Sequence, residues 1–478
     1  MGGRPERGWR STAGLALLLA WFGFLAFGGF GHAEAVRLGP VLRVEGVRTP
    51  ADLLPLIRGY PSNDGDVRRA WSYGRAALGR SYLGFYVRTE EEWAQAYAAG
   101  IRGETAGEVV PAAPLRPWRD YLVEYPPGYF VAVLPPAVLA ASPDVYRTLF
   151  VLEMACCALA ALWLVESIRR RAAPAGRSVL GWGAVSMVLV GLILTHRMDA
   201  LVSLELAFLL WSVVRPRPAA AGLATALLFW TKGVPALAAS FLALPWVRER
   251  RWAPLARWAL VACCASVALW APAIWIGGGG LAQAARYQLQ RPVEVESTAA
   301  ALSGLVRTVV PGAAWPVVSH GAIGVRGPVV TALAAASQLL LLAGWAWVAL
   351  RARGHDAGAQ AATATTALVL WMVLGPVFSP QFFVWVLPAA LLAGALAGGR
   401  ALPALAGLCA LHQLVYPMAI EHLRTLEPWA CGLVLLRNVG LGAWAGWVFS
   451  KLQPTVLPGA PVEAAGATAH ASSPMTRS

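Results

Sequence analysis

Six short polar runs hold most of the residues that could do chemistry in this 478-residue chain. They are Asn63-Asp64-Gly65-Asp66, Glu124-Tyr125-Pro126-Pro127-Gly128, His196-Arg197-Met198-Asp199, Thr231-Lys232-Gly233, Gln290-Arg291-Pro292-Val293-Glu294-Val295-Glu296-Ser297 and Ser379-Pro380-Gln381. A carboxylate such as Asp66 suits general-base work on a hydroxyl. Arg197, Arg286 and Arg291 offer planar forks and Lys232 a point charge, a set that suits a phosphate. Each residue also has a plainer reading. Asp64 serves equally as a helix N-cap, which leaves Asp66 the better base. Arg197 can pair with Asp199, and Arg291 with Glu294 or Glu296.

These runs must be positioned by elements of an unusual kind. The chain is 58% hydrophobic and 13% charged, whereas a soluble domain averages about 45–50% apolar and about 25% charged. That excludes a cytosolic globular enzyme, a disordered chain and a disulfide scaffold. Runs such as 254–276 and 328–350 are long enough to cross a bilayer, which takes about 20 apolar residues. The expected spans are 13–32, 147–166, 178–194, 199–214, 218–231, 233–247, 254–276, 327–350, 362–376, 380–398, 401–417 and 429–450. Segment 128–141 is short and broken by Pro135-Pro136, so it is expected to be re-entrant or interfacial. The fold class is therefore an all-α polytopic membrane protein of about twelve transmembrane helices, in an inner membrane.

The net charge of +14 fits topology rather than nucleic acid. The basic residues are nearly all Arg, with Lys232 and Lys451 the only lysines, and they cluster at the ends of apolar runs. With Arg4, Arg7 and Arg10 cytoplasmic, so are Arg169 to Arg171, Arg177, Arg215, Arg217, Arg248, Arg250, Arg251, Arg257, Arg351, Arg353, Arg400 and Lys451. The short outer turns carry only Arg147, Arg197, Lys232 and Arg424, in agreement with the positive-inside rule. Two long loops, 33–127 and 277–326, then face outward with every one of the polar runs. The transmembrane domain is expected to span 1–451, and the Ala-, Pro- and Ser-rich tail 452–478 to be disordered. Ala33-Glu34-Ala35 resembles a signal-peptide cleavage site, but the long apolar stretch 14–31 favours an uncleaved first helix.

Val67 to Tyr82 carries Trp71, Tyr73 and Arg75 at helical spacing, so an amphipathic interfacial helix is expected to hold Asp66 near the headgroups. Glu153, Glu205 and Arg437 fall within spans, where a charge is costly and marks function or internal pairing. The six cysteines all lie in apolar runs and read as small core hydrophobes. No His/Cys cluster has metal spacing. A divalent ion on Asp64, Asp66 and Glu124 has little support, and no cofactor is expected. No βαβ unit or Gly-rich phosphate loop is present, and Gly277 to Gly280 reads as a flexible exit from a span.

In order along the chain, these elements resemble the GT-C superfamily of polytopic glycosyltransferases, and most closely glycosyltransferase family 87. The matching segments are Asp66-Val-Arg-Arg-Ala-Trp-Ser-Tyr73-Gly74 with Gly79-Arg-Ser-Tyr82, Glu124-Tyr-Pro-Pro-Gly128, Arg197-Met-Asp199, Lys232-Gly-Val-Pro235, Arg291-Pro-Val-Glu-Val-Glu296-Ser297 and Ser379-Pro-Gln381. The resemblance implies a bundle with a large extracytoplasmic loop after the first helix. It implies inverting transfer of a sugar, typically mannose, from a polyprenyl-phosphate donor to a lipid or glycan acceptor. Asp66 matches the acid that acts as base. Arg197, Lys232, Arg286 and Arg291 would stabilise the leaving phosphate, and His196 could donate a hydrogen bond to it. Asp64, Glu124, Tyr125, Asp199, Glu296, Ser297 and Gln381 complete the expected substrate-binding set. The stretch 84–120 is long for the family and bears on the acceptor. The rival from another class is a flippase or transporter for lipid-linked saccharides, which should show internal symmetry and midplane polar residues.

Overall fold

The computed structural model describes residues 65–84, 86–89, 108–191, 193–319 and 322–453, with isolated positions 16, 19, 20 and 92. All but three positions of the expected first span, together with Asp64 and the tail beyond 453, lie outside the described residues.

Several of the apolar runs start as helices at a proline or a capping side chain. The chain runs through α1 (Gly65–Ala77), a small antiparallel pair β1 (Tyr82–Leu83) and β2 (Glu108–Val109), α2 (Tyr129–Leu139) and α3 (Pro143–Ala172). Helix α3 opens on Pro143, with the Ser142 hydroxyl accepting from Val145 N, because an N-cap oxygen satisfies one of the orphan amides. Next come α4 (Leu180–Val190), one-turn α5 (Ile193–His196), α6 (Asp199–Val214) and α7 (Pro218–Thr231). The expected span 233–247 is instead a 3-10 turn (Val234–Ala236) followed by α8 (Leu237–Leu242) and α9 (Leu244–Arg248). Then follow α10 (Trp252–Gly277), α11 (Gly280–Leu289), β3 (Val293–Glu294), α12 (Thr298–Val306), β4 (Trp315–Ser319) and β5 (Ala322–Arg326). Helices α13 (Pro328–Arg351), α14 (Ala357–Leu374), α15 (Phe382–Ala397), α16 (Ala401–Gln413), α17 (Ile420–Arg424) and α18 (Pro428–Leu452) complete the described chain.

Among the described residues, six helical stretches are long and apolar enough to cross a membrane: α3, α10, α13, α14, α16 with the turn that extends it to Met418, and α18. Helices α2, α4, α7 and α15 are apolar but shorter. Helices α14 and α15 form the centre, where nearly every side chain is buried. Around them pack α6, α18 and α16, and α3 packs on α6. Helix α10 packs along α7 and turns Leu260, Val267 and Trp275 outward. An apolar outer face costs nothing where the surroundings are hydrocarbon, so α10 reads as a lipid-facing rod. The cysteine expectation needs correction here. Cys409 and Cys431 are buried, but Cys156, Cys263 and Cys264 are exposed on the outside of the bundle.

Segment 128–141 forms α2, a helix of 11 residues containing Pro135 and Pro136. It is wedged between α1 and α3. Helix α1 differs from the expected surface helix, for Val67, Ala70, Trp71, Tyr73 and Ala76 are all buried and it packs on α2 and α3. Its aromatic face meets protein rather than lipid. Segment 277–326 is not purely helical. It holds a three-stranded antiparallel sheet of order β3-β5-β4, with Val293 opposite Val325 and Trp315 opposite Arg326. Outside the span helices the backbone can pair in strands, as β-branched alternation favours.

The turns fall into two sets at opposite ends of the bundle. At one end Arg248 donates to the carbonyls of Ala349 and Ala352, Arg177 Nη1 reaches Gly399 O at 3.3 Å and His355 meets Glu249 at 2.6 Å. The polar runs gather at the other end.

Candidate functional site

Three oppositely charged pairs converge at that second end. Asp66 lies in the first turn of α1, where a carboxylate suits the positive end of the helix dipole. Its Oδ2 meets Arg197 Nη2 at 2.6 Å. One turn later, Arg69 Nη1 meets Glu124 Oε1 at 2.6 Å. Helix α1 can hold both because it is docked firmly. The Tyr121 hydroxyl donates to Tyr73 O at 3.1 Å, and a Cβ at Gly74 would come within 2.7 Å of Ala137 Cβ. Burial on its own would raise the Asp66 carboxyl, but Arg197, Arg69 and Lys232 together hold it below its ordinary value of 3.8.

The third pair joins the start of α6 to the end of α7. Asp199, 1% exposed, is the first residue of α6. It accepts a hydrogen bond from Trp385 Nε1 on α15, and Lys232 Nζ stands 3.4 Å from its Oδ1. Lys232 also lies over the Tyr125 ring at 4.5 Å and the Trp385 ring at 5.4 Å, which is cation–π geometry. Burial draws this ammonium below its ordinary value; Asp199 opposes that and Arg197 adds to it. The turn carrying Lys232 ends at Gly233, with φ +77, a backbone region glycine occupies without a side-chain clash. Tyr125 stacks on Tyr129 at 4.5 Å. Asp66, Arg69, Tyr125, Tyr129, Arg197 and Asp199 are among the residues that line one open recess. His196 lines it too, its Nδ1 3.1 Å from the Thr195 hydroxyl.

The residues of the second long loop are differently employed. Gln288 Nε2 donates to Glu124 O at 2.8 Å. Arg291 donates to Gln288 Oε1 and to Glu294 Oε1, both at 3.2 Å, and the Ser379 hydroxyl donates to Glu294 at 2.9 Å. Arg291 is thus a strut that ties α11, β3 and the start of α15 to the first loop. Glu296 lies against Arg437 of α18 at 2.5 Å, and Arg437 and Asn438 both donate to its backbone carbonyl. Burial pushes the Glu296 carboxyl up to about 7 against the pull of Arg437.

The sequence expectations therefore divide. Asp66, Glu124, Tyr125, His196, Arg197, Asp199 and Lys232 are brought together. Arg197 pairs with Asp66 rather than with Asp199, because Asp199 faces Trp385 and Lys232. Arg291 takes the Glu294 partner. Ser297 is fully buried as the N-cap of α12, accepting from Ala300 N at 3.2 Å, so it caps a helix instead of lining the recess. Arg286 is exposed on α11 with no ion pair among the described residues. Gln381 is 6% exposed and its Oε1 has no hydrogen-bond partner among the described residues. Sequence reasoning missed Arg69, Trp385 and Tyr416. Arg69 stands three residues after Asp66, the i,i+3 spacing that puts both on one helix face. Trp385 is 186 residues from Asp199 and has no local signal. Tyr416 sits within electrostatic reach of Arg197, Asp66 and Glu296.

No protein-family model matches the chain. No curated protein matches it. Among solved structures the chain is similar to ArnT from Cupriavidus metallidurans, whose crystal structure was determined with undecaprenyl phosphate bound. The identity is 14%, the match covers 94% of this chain and 77% of that one, and the TM-score is 0.43.

Proposed function

We propose that the chain is a membrane glycosyltransferase of the GT-C kind, which moves a sugar from a polyprenyl-phosphate donor to a lipid or glycan acceptor at the extracytoplasmic face. One observation carries the reading: Asp66, Arg197, Lys232, Asp199, Arg69 and Glu124 line or border a single recess at one end of an apolar helical bundle. Cations suit a phosphate, and carboxylates suit the hydroxyls of a sugar. A site that holds both, set among helices of membrane-spanning length, fits a sugar phosphate whose anchor is a lipid.

In this mechanism an acceptor hydroxyl gives its proton to the Asp66 carboxylate. The acceptor oxygen then forms a bond to the anomeric carbon from the face opposite the phosphate. The bond from that carbon to the phosphate oxygen breaks, and its electron pair stays on the phosphate. A phosphodiester monoanion thus becomes a monoester with additional negative charge, and Arg197 and Lys232 are placed to stabilise it. A single displacement of this kind inverts the anomeric centre. The family resemblance favours mannose as the sugar and makes this a hexosyltransferase.

The flippase reading draws on Glu205 and Arg437, charged residues within apolar helices, since such residues mark transport paths. Both have close partners: Arg437 is engaged by Glu296 and Glu205 by Thr231. The experiment that separates the readings supplies labelled polyprenyl-phosphate mannose to the protein in vesicles. Label passing to an acceptor supports the enzyme. Label crossing the bilayer with its lipid, and never leaving it, supports the flippase.

A further inference from the structure

Glu205 takes no part in the chemistry above, yet it lies directly beneath it. It is on α6, 6% exposed, and its Oε1 accepts from the Thr231 hydroxyl at 2.8 Å. Side chains on a helix lean toward its N-terminus, so Glu205 reaches toward the end that carries Asp199. Thr231, fully buried, is the last residue of α7, and Lys232 follows it. Two consecutive residues are therefore pinned to α6 from two levels, Thr231 by Glu205 and Lys232 by Asp199.

The same point fixes the first loop. Gly128 N donates to Trp230 O at 2.9 Å. A Cβ at Gly128 would lie 2.7 Å from both Thr231 Cα and Thr231 Oγ1, so the Glu124-Tyr125-Pro126-Pro127-Gly128 run rests on the Thr231 backbone. Tyr125, whose ring Lys232 covers, belongs to that run. Thr231 is thus a junction of α6, α7 and the first loop, directly under the ammonium. A side chain that moved there would move Lys232 and Tyr125 together.

We infer that Glu205 and Thr231 are positioning residues that hold the Lys232 ammonium and the Tyr125 ring in register for the donor phosphate. The inference rests on the proposed polyprenyl-phosphate reading of the site. Neither side chain touches the substrate. Both act through Lys232, so their loss weakens capture of the phosphate more than it slows a turnover once the donor is bound. The requirement is a hydroxyl on 231 and an acceptor oxygen on 205, rather than the volume of either side chain.

The test uses full-length protein in nanodiscs, with binding of a polyprenyl phosphate alone and steady-state transfer as paired readouts. Thr231→Val keeps the shape and removes the hydroxyl. Its Kd for the polyprenyl phosphate and its KM for the donor should rise about five- to tenfold, the scale of one lost hydrogen bond, with kcat within about twofold. Thr231→Ser and Glu205→Gln should restore values near wild type. Glu205→Leu should match Thr231→Val, and the double variant should be no worse than either, because the pair acts as a unit. If Thr231→Val does not fold, the comparison of Glu205→Gln with Glu205→Leu carries the same test. Wild-type protein that binds no polyprenyl phosphate overturns the donor reading itself. Wild type that binds it, with Thr231→Val and Glu205→Leu binding equally well, overturns only the positioning role. So does an equal loss in Thr231→Val and Thr231→Ser.

Discussion

Asp66 and Arg197 meet at 2.6 Å, and the contact sets how the proposed base responds to pH. Burial raises the Asp66 carboxyl, and the three nearby cations overcome that and lower it. A group lowered on folding adds stability above its unfolded value, and that stability is lost as pH falls through the folded value. The acid limb of kcat/KM reports ionisation of the base in the free enzyme, so it should lie below 3.8, the ordinary value of the group. Arg197→Gln removes the largest lowering influence, so the limb should move to higher pH and transfer at mildly acidic pH should fall. A pH profile of the variant with an unmoved limb would show that Arg197 does not govern Asp66. At this scale much of the site was legible in the sequence, because Asp66, Arg197, Asp199 and Lys232 stand out as charges in a chain that has few. Their pairing was not legible. Arg197 had a partner two residues away and took one 131 residues distant, since Asp199 faces Trp385 across the bundle.

At the scale of elements, the second loop is bolted to the first at one backbone junction. A Cβ on Gly280 would stand 1.5 Å from Trp118 O, so the start of α11 admits only glycine there. The run Gly277 to Gly280 reads in sequence as a flexible exit. In the structure Gly280 is a close-approach point, and Trp118 Nε1 in turn donates to Tyr125 O at 3.2 Å. Gly280→Ala should push α11 off the first loop and break the Gln288–Glu124 hydrogen bond. The expected cost is about 1–3 kcal/mol, read as a lower melting temperature together with a higher donor KM. Gly278 and Gly279 have open space at the Cβ position. Gly279, at φ −64, should therefore accept alanine with little loss. A second element-level prediction concerns Glu296 and Arg437. Removing one partner of a buried pair costs about 3–5 kcal/mol where the other stays charged, so the comparison belongs at a pH well above the Glu296 value of about 7. Arg437→Met should therefore destabilise more than the double variant Arg437→Met with Glu296→Gln, as measured by chemical denaturation in detergent. Helix boundaries were legible where a proline or a polar run marks them, as at α6 (199–214) and α7 (218–231). The sheet β3-β5-β4 was not, because β3 has two residues and a helix separates it from the β4-β5 hairpin.

At the scale of the whole molecule, polar runs and Arg-rich turns occupy opposite ends of one bundle, and we propose that the polar end is the exterior one, as the positive-inside rule favours. Cysteines introduced at the exposed Arg119 and Arg353 report on this. With an impermeant thiol reagent on intact cells, Arg119→Cys should label and Arg353→Cys should not. Labelling of both from outside would refute the two-ended arrangement. The charge pattern made the separation of polar runs from Arg-rich turns legible from the sequence, whereas the burial of α1 against protein was hidden, since an aromatic helix face looks the same against lipid or protein. The central claim is that Asp66 is the base of a sugar transfer from a polyprenyl-phosphate donor. It is tested most directly by measuring transfer from polyprenyl-phosphate mannose in membranes containing wild type or Asp66→Asn. The account predicts transfer by wild type, a loss of about 10²–10⁴-fold in Asp66→Asn, and retained binding of the polyprenyl phosphate. Equal transfer by the two proteins would contradict it.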